Sequence, residues 1–421
     1  MDYHHQNMKI LLMTALLAVN AFSQQTLDHY IGFGQKHNAD VQEAYNQWQA
    51  SLEDVSIVKK LPNPQLSAGY FLENVETAVG PQEYKIGIMQ KFPMFGKLST
   101  ISRAKAFHAD ALKQSYFQIK ANVRAKIKSL YYDIYYLERA IEITHQNVQL
   151  LENWEKVIQI KYQTAQAGHP DFIKTQIELM KLQNDLESLT ARKSPLLQAF
   201  KAVLNDYSLA EIDIPDILQV DLMAESNESV FQLIQVKNHT LLSAEHSINS
   251  RENVLKRAKL NYLPDFGLGL DYIGTGEKEM DGVPVTDSGK DPLVFKVSLD
   301  IPIWFGKNAK QVSAARYRKT ASENKLVSKQ NSINAAVDNV MYKMDDAKRK
   351  IDLYSNELIP KSMESLGASE KAYISDKADL ITLIDTQRRH LQFTLEYESA
   401  VVSYLKQKAL LESYMGLEEG E

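Results

Sequence analysis

The sequence predicts a mostly helical protein with a minor β component, assembled from one unit written twice: helix, strand, strand, very long helix, returning helix. Three observations lead there. The stretch Lys296-Val-Ser-Leu-Asp-Ile-Pro302-Ile-Trp-Phe-Gly-Lys307 has an earlier counterpart in Tyr84-Lys-Ile-Gly-Ile-Met-Gln-Lys-Phe-Pro93-Met-Phe-Gly-Lys97. In both, alternating residues end at a proline, and Phe-Gly-Lys then opens a polar segment of helical period. Helix breakers are concentrated around these stretches: windows 61–97 and 263–307 hold four and seven of the 17 glycines, and four each of the 12 prolines. The rest of the chain is nearly free of them. Finally, residues 98–165 contain neither proline nor glycine, and as one helix they would run about 100 Å, too long for a globular core and suited to coiled-coil or helical-barrel packing.

The bulk properties exclude several classes. With 421 residues, 44% hydrophobic and 24% charged, the chain is neither disordered nor a helical membrane protein by composition. A net charge of −5 gives no basic footprint for nucleic acid. The absence of cysteine removes disulfides, thiolate chemistry and lipidation of a cysteine.

In chain order, Met8-Lys9, a largely apolar run from Ile10 to Val19 and the Ala21-Phe-Ser23 site form a signal-peptide pattern over residues 1–23, whichever of Met1 and Met8 is the start. No later run reaches the ~18 apolar residues of a spanning helix. The first repeat covers 24–210. A helix is expected from Thr26 to Lys60, where Val41, Ala44, Trp48 and Leu52 recur at three to four residues and Leu61-Pro-Asn-Pro64 stops it. Strands are expected at about 65–72 and 84–92, joined by a polar connection containing Gly80-Pro81. The long helix follows, Ala167-Gly-His-Pro170 reverses the chain, and Asp171 is placed to cap a returning helix that reaches about Leu204.

Residues 211–224, with Ile212-Asp-Ile-Pro215, form a linker. The second repeat, 225–421, opens with a helix to Lys259, and Leu263-Pro-Asp265 echoes Leu61-Pro-Asn63. Strands are expected at about 266–273 and 293–301 around a Gly/Asp-rich loop. A second long helix is interrupted near Pro360 and reverses around Ser375-Asp-Lys377, and a final helix runs to about Met415.

The strands segregate their residues. Leu66/Ala68/Tyr70/Leu72, Tyr84/Ile86/Ile88, Phe266/Leu268/Leu270/Tyr272 and Phe295/Val297/Leu299/Ile301 share one face. Ser67, Gly69, Lys85, Gly87, Lys91, Asp271, Lys296, Ser298 and Asp300 share the other. A soluble sheet against helices uses the same alternation, but export and the long helices favour the wall of a water-filled barrel. Four strands cannot close such a barrel, and lipid permits no open edge, so several chains contribute in cyclic symmetry. Two copies would give a narrow, side-chain-filled barrel, and three give twelve strands and a usable channel.

The whole mature chain resembles the TolC-like outer-membrane efflux factors. The resemblance rests on the duplicated order, the Leu-Pro-x-Pro entry to the first strand, the strand-Pro-x-(x)-Phe-Gly-Lys exits and two hairpin tips. The tips read Tyr162-Gln-Thr-Ala165 with Asp171-Phe-Ile-Lys-Thr-Gln176, and Tyr373-Ile-Ser-Asp376 with Asp379-Leu-Ile-Thr-Leu-Ile-Asp385-Thr-Gln387. Both depart from the family where it has glycine, at Ala165 and Asp376. The resemblance implies a homotrimer with a twelve-stranded transmembrane β-barrel in the Gram-negative outer membrane, continued by a long periplasmic α-helical barrel. It also implies partners, a periplasmic adaptor (membrane fusion) protein and an inner-membrane transporter that supplies the energy. The chain would be a passive exit duct, and the substrate would be chosen by the pump. A soluble periplasmic coiled-coil adaptor or scaffold is the alternative.

Nothing in the sequence points to an enzyme, a cofactor or a metal: there is no metalloprotease helix, nucleophile elbow or phosphate loop. His239 and His246 lie near one helix face, but with no third ligand grouped with them they read as solvated surface. Tyr131, Tyr132, Tyr135 and Tyr136 read as helix packing. The candidate aperture residues at the tips are Asp385, Asp379, Asp376 and Asp171. Asp385 matches a position where the family can place an acidic ring, and an ordinary surface carboxylate or cap is the competing role for all four. The candidate junction residues are Pro93 and Pro302, which end strands, and Gly96 and Gly306, which would free the backbone to turn into the long helices.

Overall fold

The computed structural model describes residues 27–223 and 227–417. The expected signal peptide and Ala224, the last linker residue, lie outside them. Residues 27–37 form α1. The further elements are α2 (Ala39–Ile57), β1 (Gln65–Thr77), β2 (Gly80–Phe92), α3 (Lys97–Gln163), α4 (His169–Ala191) and α5 (Lys193–Leu204). The second series is α6 (Asn227–Lys237), α7 (His239–Leu260), β3 (Asp265–Thr275), the two-residue β4 (Glu279–Met280) and β5 (Val283–Pro284), β6 (Leu293–Asp300), α8 (Phe305–Leu353), α9 (Ile359–Ile374) and α10 (Leu380–Met415).

Each series opens with two helices where the spacing predicts one, and the reason is an asparagine. Asn38 interrupts the first: its carboxamide oxygen accepts from the amides of Asp40 (3.0 Å) and Val41 (3.2 Å), capping α2, and its Nδ2 donates to the Val203 carbonyl at 2.8 Å. Asn238 interrupts the second, and its Nδ2 donates to the Tyr414 carbonyl at 2.8 Å. Both asparagines are buried, and both reach the last turn of the returning helix of their own series. Those helices end alike. Asn205 (φ 56°) and Gly416 (φ 66°) are left-handed C-terminal caps. The Asn205 side chain donates to the His37 carbonyl at 3.3 Å, and a Cβ on Gly416 would stand 2.3 Å from the Lys237 carbonyl oxygen.

The described residues divide into two compact units: those from Leu27 to Ala44 with those of Ser115–His239 and those from Gln330 to Leu417, and Tyr45–Gln114 with Thr240–Lys329. Among the described residues the first is helical apart from its connections. Along α3, Val123, Ile127, Leu130, Ile134, Leu137, Thr144, Val148, Leu151 and Ile158 are buried at steps of three, four and seven, the 3.5-residue period of a left-handed supercoil. Ile333, Val337, Val340, Met344 and Ala347 repeat that period on α8. Near the hairpin ends, Ile158 packs with Leu366, Tyr373, Leu380 and Leu383, each buried side chain contributing roughly 1.5–3 kcal/mol. Between α8 and α9, Tyr354–Leu358 form one π-helical turn, with the Ile359 amide bonded to the Tyr354 carbonyl. Pro360 has no N–H and its ring would strike the carbonyl four residues back, so the helix widens rather than stops. The tyrosines pack as expected. Tyr131, Tyr132 and Tyr135 are buried; Tyr131 Oη donates to the Asp213 carbonyl at 3.2 Å, and burial pushes Tyr135 up to about 12.

The second unit holds the antiparallel sheet, in the order β1-β2-β3-β6. The first two strands are longer than the alternation shows. Val75↔Gln82, Glu76↔Pro81 and Thr77↔Gly80 continue the ladder beyond a register irregularity between Tyr70 and Val75, so the expected polar connection is mostly strand. Gly80, at φ 137°, makes the tight turn. The Gly/Asp-rich loop between β3 and β6 contains the small β4–β5 hairpin.

Candidate functional site

The sheet register aligns like with like. Leu66 pairs with Ile88, Ile88 with Leu270 and Leu270 with Phe295, while Ala68, Ile86, Tyr272 and Leu293 form the next row. Among the described residues no helix lies on the apolar face so formed: Leu66 is 77% exposed, Leu72 95% and Val297 66%. Tyrosines 70, 84 and 272 gather at its hairpin end, and Phe95, Trp304 and Phe305 stand exposed at the other. Apolar side chains between two aromatic rims follow the pattern that membrane barrels present on their outer surface. The opposite face is polar. Asp271, fully buried, is paired with Lys85 and, at 2.6 Å, with Lys296. Lys91 pairs with Asp300 at 3.0 Å. Among the described residues, β1 and β6 each have one unpaired edge.

The two strand-to-helix junctions share a motif and differ in structure. After β2, Pro93 leads to Gly96 at φ 88°, a left-handed conformation that favours glycine. Lys97 then turns inward: 4% exposed, it donates to the Leu263 carbonyl (2.9 Å) and the Asp265 carboxylate (2.7 Å), and Asp265 also accepts from the Met94 amide at 2.7 Å. After β6, Pro302 is followed by close turns, with the Ile303 amide bonded to the Ile301 carbonyl and that of Phe305 to Ile303. Gly306 is already the second residue of α8, without positive φ and with nothing within 4 Å of an added Cβ. The backbone swing expected there is therefore made by residues 301–305. Lys307 is exposed, and its neighbour Asn308 takes the buried place, donating to the Asn261 carbonyl at 3.3 Å.

The hairpin tips keep the backbone of a glycine without having one. Ala165 has φ 57° and Asp376 φ 56°. Around each, the amide of the left-handed residue bonds three back (Ala165 to Tyr162, Asp376 to Tyr373) and the next amide bonds five back (Gln166 to Lys161, Lys377 to Ala372). This is the Schellman ending of a helix. Lys161 links the two hairpins, donating to the Tyr373 carbonyl at 3.2 Å and the Asp376 carboxylate at 2.6 Å, with its ammonium 4.7 Å from the Tyr373 ring centre.

The four acidic candidates lie at this end, each with its own partner. Asp171 does not cap α4, because Gly168 takes that position with no side-chain bond; Asp171 sits in the first turn, 4.0 Å from Lys174 Nζ. Asp376 holds Lys161. Asp379 caps α10, accepting from the Thr382 amide at 2.9 Å and its hydroxyl at 2.5 Å, and these bonds hold its carboxyl below the usual range. Asp385 is half-exposed on α10, paired with Arg389 at 2.9 Å. It borders a cleft of about 520 Å³ between α4 and α10, beside Ile177 and the two-pronged Arg388–Glu178 pair (3.1 and 2.7 Å). The histidines are not a solvated pair: His239 is buried against Phe117 and His246 stacks on Phe107. Among the described residues no group of side chains could hold a metal ion, and no helix is long and apolar enough to cross a membrane.

Residues 230–417 match the outer membrane efflux protein family. No curated protein matches the chain by sequence. Among solved structures, a membrane protein from Pseudomonas aeruginosa superposes with a TM-score of 0.79 at 16% identity, covering 93% of both chains. The open state of the Neisseria gonorrhoeae MtrE outer membrane channel gives 0.75 at 18% identity, covering 93% of this chain and 89% of that one. The outer membrane protein VceC of Vibrio cholerae gives 0.77 at 12% identity, covering 94% and 98%. Fold and matched domain agree.

Proposed function

We propose that this chain, which carries an outer membrane efflux protein domain and has the fold of the outer-membrane efflux channels, is the exit duct of a tripartite efflux or secretion system. The single observation that supports this most is the sheet: an apolar face that nothing among the described residues covers, joined to two unpaired edges. Such a sheet can rest in lipid only if neighbouring copies complete it. Three copies give a twelve-stranded barrel with the aromatic rims at the two interfaces, and the duplicated helices continue it on the periplasmic side.

In this reading the duct conducts passively. An inner-membrane pump supplies the energy and a periplasmic adaptor meets the tips. Asp385, repeated around the ring, places three carboxylates at the narrow end, where they favour cations. Asp385→Ala is expected to raise single-channel conductance or relieve block by divalent cations in planar bilayers; unchanged conductance and block would remove that role. The duct itself is tested by fractionation. A heat-modifiable trimer in the outer membrane is the expected result, and a soluble periplasmic monomer would refute it.

A further inference from the structure

On the polar face of the sheet the ion pairs are not all one to one. Lys91 and Asp300 pair one to one at 3.0 Å, and so do Lys97 and Asp265 at 2.7 Å. Asp271 instead carries two lysines, Lys85 and Lys296, the second at 2.6 Å. The carboxylate is fully buried, while Lys85 and Lys296 remain 41% and 36% exposed. What solvent meets at this level is thus one uncompensated positive charge per chain, with its counter-charge beneath. The arrangement is built in. Asp271 pairs with Gly87 in the ladder, and a Cβ at Gly87 would come within 2.3 Å of the Asp271 carboxylate, so the glycine leaves the space that the carboxylate fills. The next acid along β2, Glu83, has its carboxylate near Gly276.

We infer that Lys85 and Lys296, anchored by Asp271, form a cationic belt inside the barrel that retains polyvalent anions. This rests on the barrel reading, in which three copies bring the residual charges together around one lumen. A ring of like charge in a confined passage concentrates counter-ions roughly 10- to 1,000-fold. The belt would set which solutes dwell in the outer section, separately from the acidic tips.

The test is block of single-channel current by inorganic triphosphate, added to the barrel side of the purified full-length protein in planar bilayers. Wild type is expected to be blocked, more strongly at low salt. Lys85→Gln makes the belt neutral yet leaves Asp271 paired with Lys296, and should weaken block about tenfold or more. Lys85→Arg should keep it, and so should Lys91→Gln made together with Asp300→Asn, which removes a balanced pair of the same face without altering its net charge. Block that survives in Lys85→Gln, or falls equally in the Lys91→Gln, Asp300→Asn protein, would overturn the belt. Absence of any channel in wild type would instead overturn the duct on which it rests.

Discussion

The two copies of Phe-Gly-Lys can be set side by side. At the first, the glycine is left-handed and the lysine is buried in an ion pair with Asp265; at the second, the glycine is helical and the lysine faces solvent. The tips differ in the same manner. Their backbones match, but Ala165 holds its left-handed conformation with a methyl group, whereas the Asp376 carboxylate is bonded to Lys161. An identical motif therefore fixes where the chain turns without fixing which side chain bears the load. That is decided by the partner, and the partners of the two copies differ.

Substitutions made in parallel would sharpen or break this contrast. The largest difference is expected at the lysines. Lys97→Ala removes the cation bonded to Asp265, leaving it only the Met94 amide and the charge of Arg257, and should cost about 1.5–3 kcal/mol, whereas Lys307→Ala should stay within about 0.5 kcal/mol. The temperature at which the assembled protein loses its compact gel mobility reads both, and equal losses would mean the junctions are equivalent. Next come the glycines. Gly96→Ala should cost about 1–2 kcal/mol for a left-handed residue with a Cβ, while Gly306→Ala should gain about 0.5 kcal/mol as a better helix former; matching signs would undo the distinction.

Smaller effects are expected at the tips, read by hydrogen exchange of the turn amides. Ala165→Gly should stabilise its turn by about 1 kcal/mol, while Asp376→Gly should change little, since relief of the backbone is offset by loss of the Lys161 bond. The last contrast is with pH. Asp379 caps α10, but α4 has no titratable cap. Its folded carboxyl lies below the ordinary value of 3.8, so the unfolded turn takes up protons first as pH falls. The cap's contribution is whole above about pH 4 and is lost below it. Acid should loosen the second tip selectively, and Asp379→Asn should remove that dependence.

Much of the fold was legible because it depends on period. The alternation from Tyr84 to Phe92 and the breaker-free run after Lys97 are properties of neighbouring residues. The helix breaks were not legible. Asn38 and Asn238 each sit within unbroken helical spacing, and their side chains bond carbonyls 165 and 176 residues away. The continuation of β1 past Leu72 was hidden for a related reason, since Glu73–Thr77 lie beyond the apolar face and no longer alternate with it. At the tips the sequence marked the right positions by what is missing: Ala165 and Asp376 stand where a glycine would, and the backbone there still adopts a glycine's angles. The pairing of Asp271 with two lysines on neighbouring strands could be found only once the register was known.

The two unpaired edges of the sheet have a genetic consequence. If three chains must each lend an edge, a defective copy that still pairs will enter most assemblies. With normal and altered chains made in equal amounts, only about one ring in eight would be wholly normal. Lesions that spare the edges, such as changes at Lys85 or Asp385, should thus act dominantly when co-expressed with the intact gene. Lesions that prevent pairing at β1 or β6 should be recessive, because such chains never join a ring.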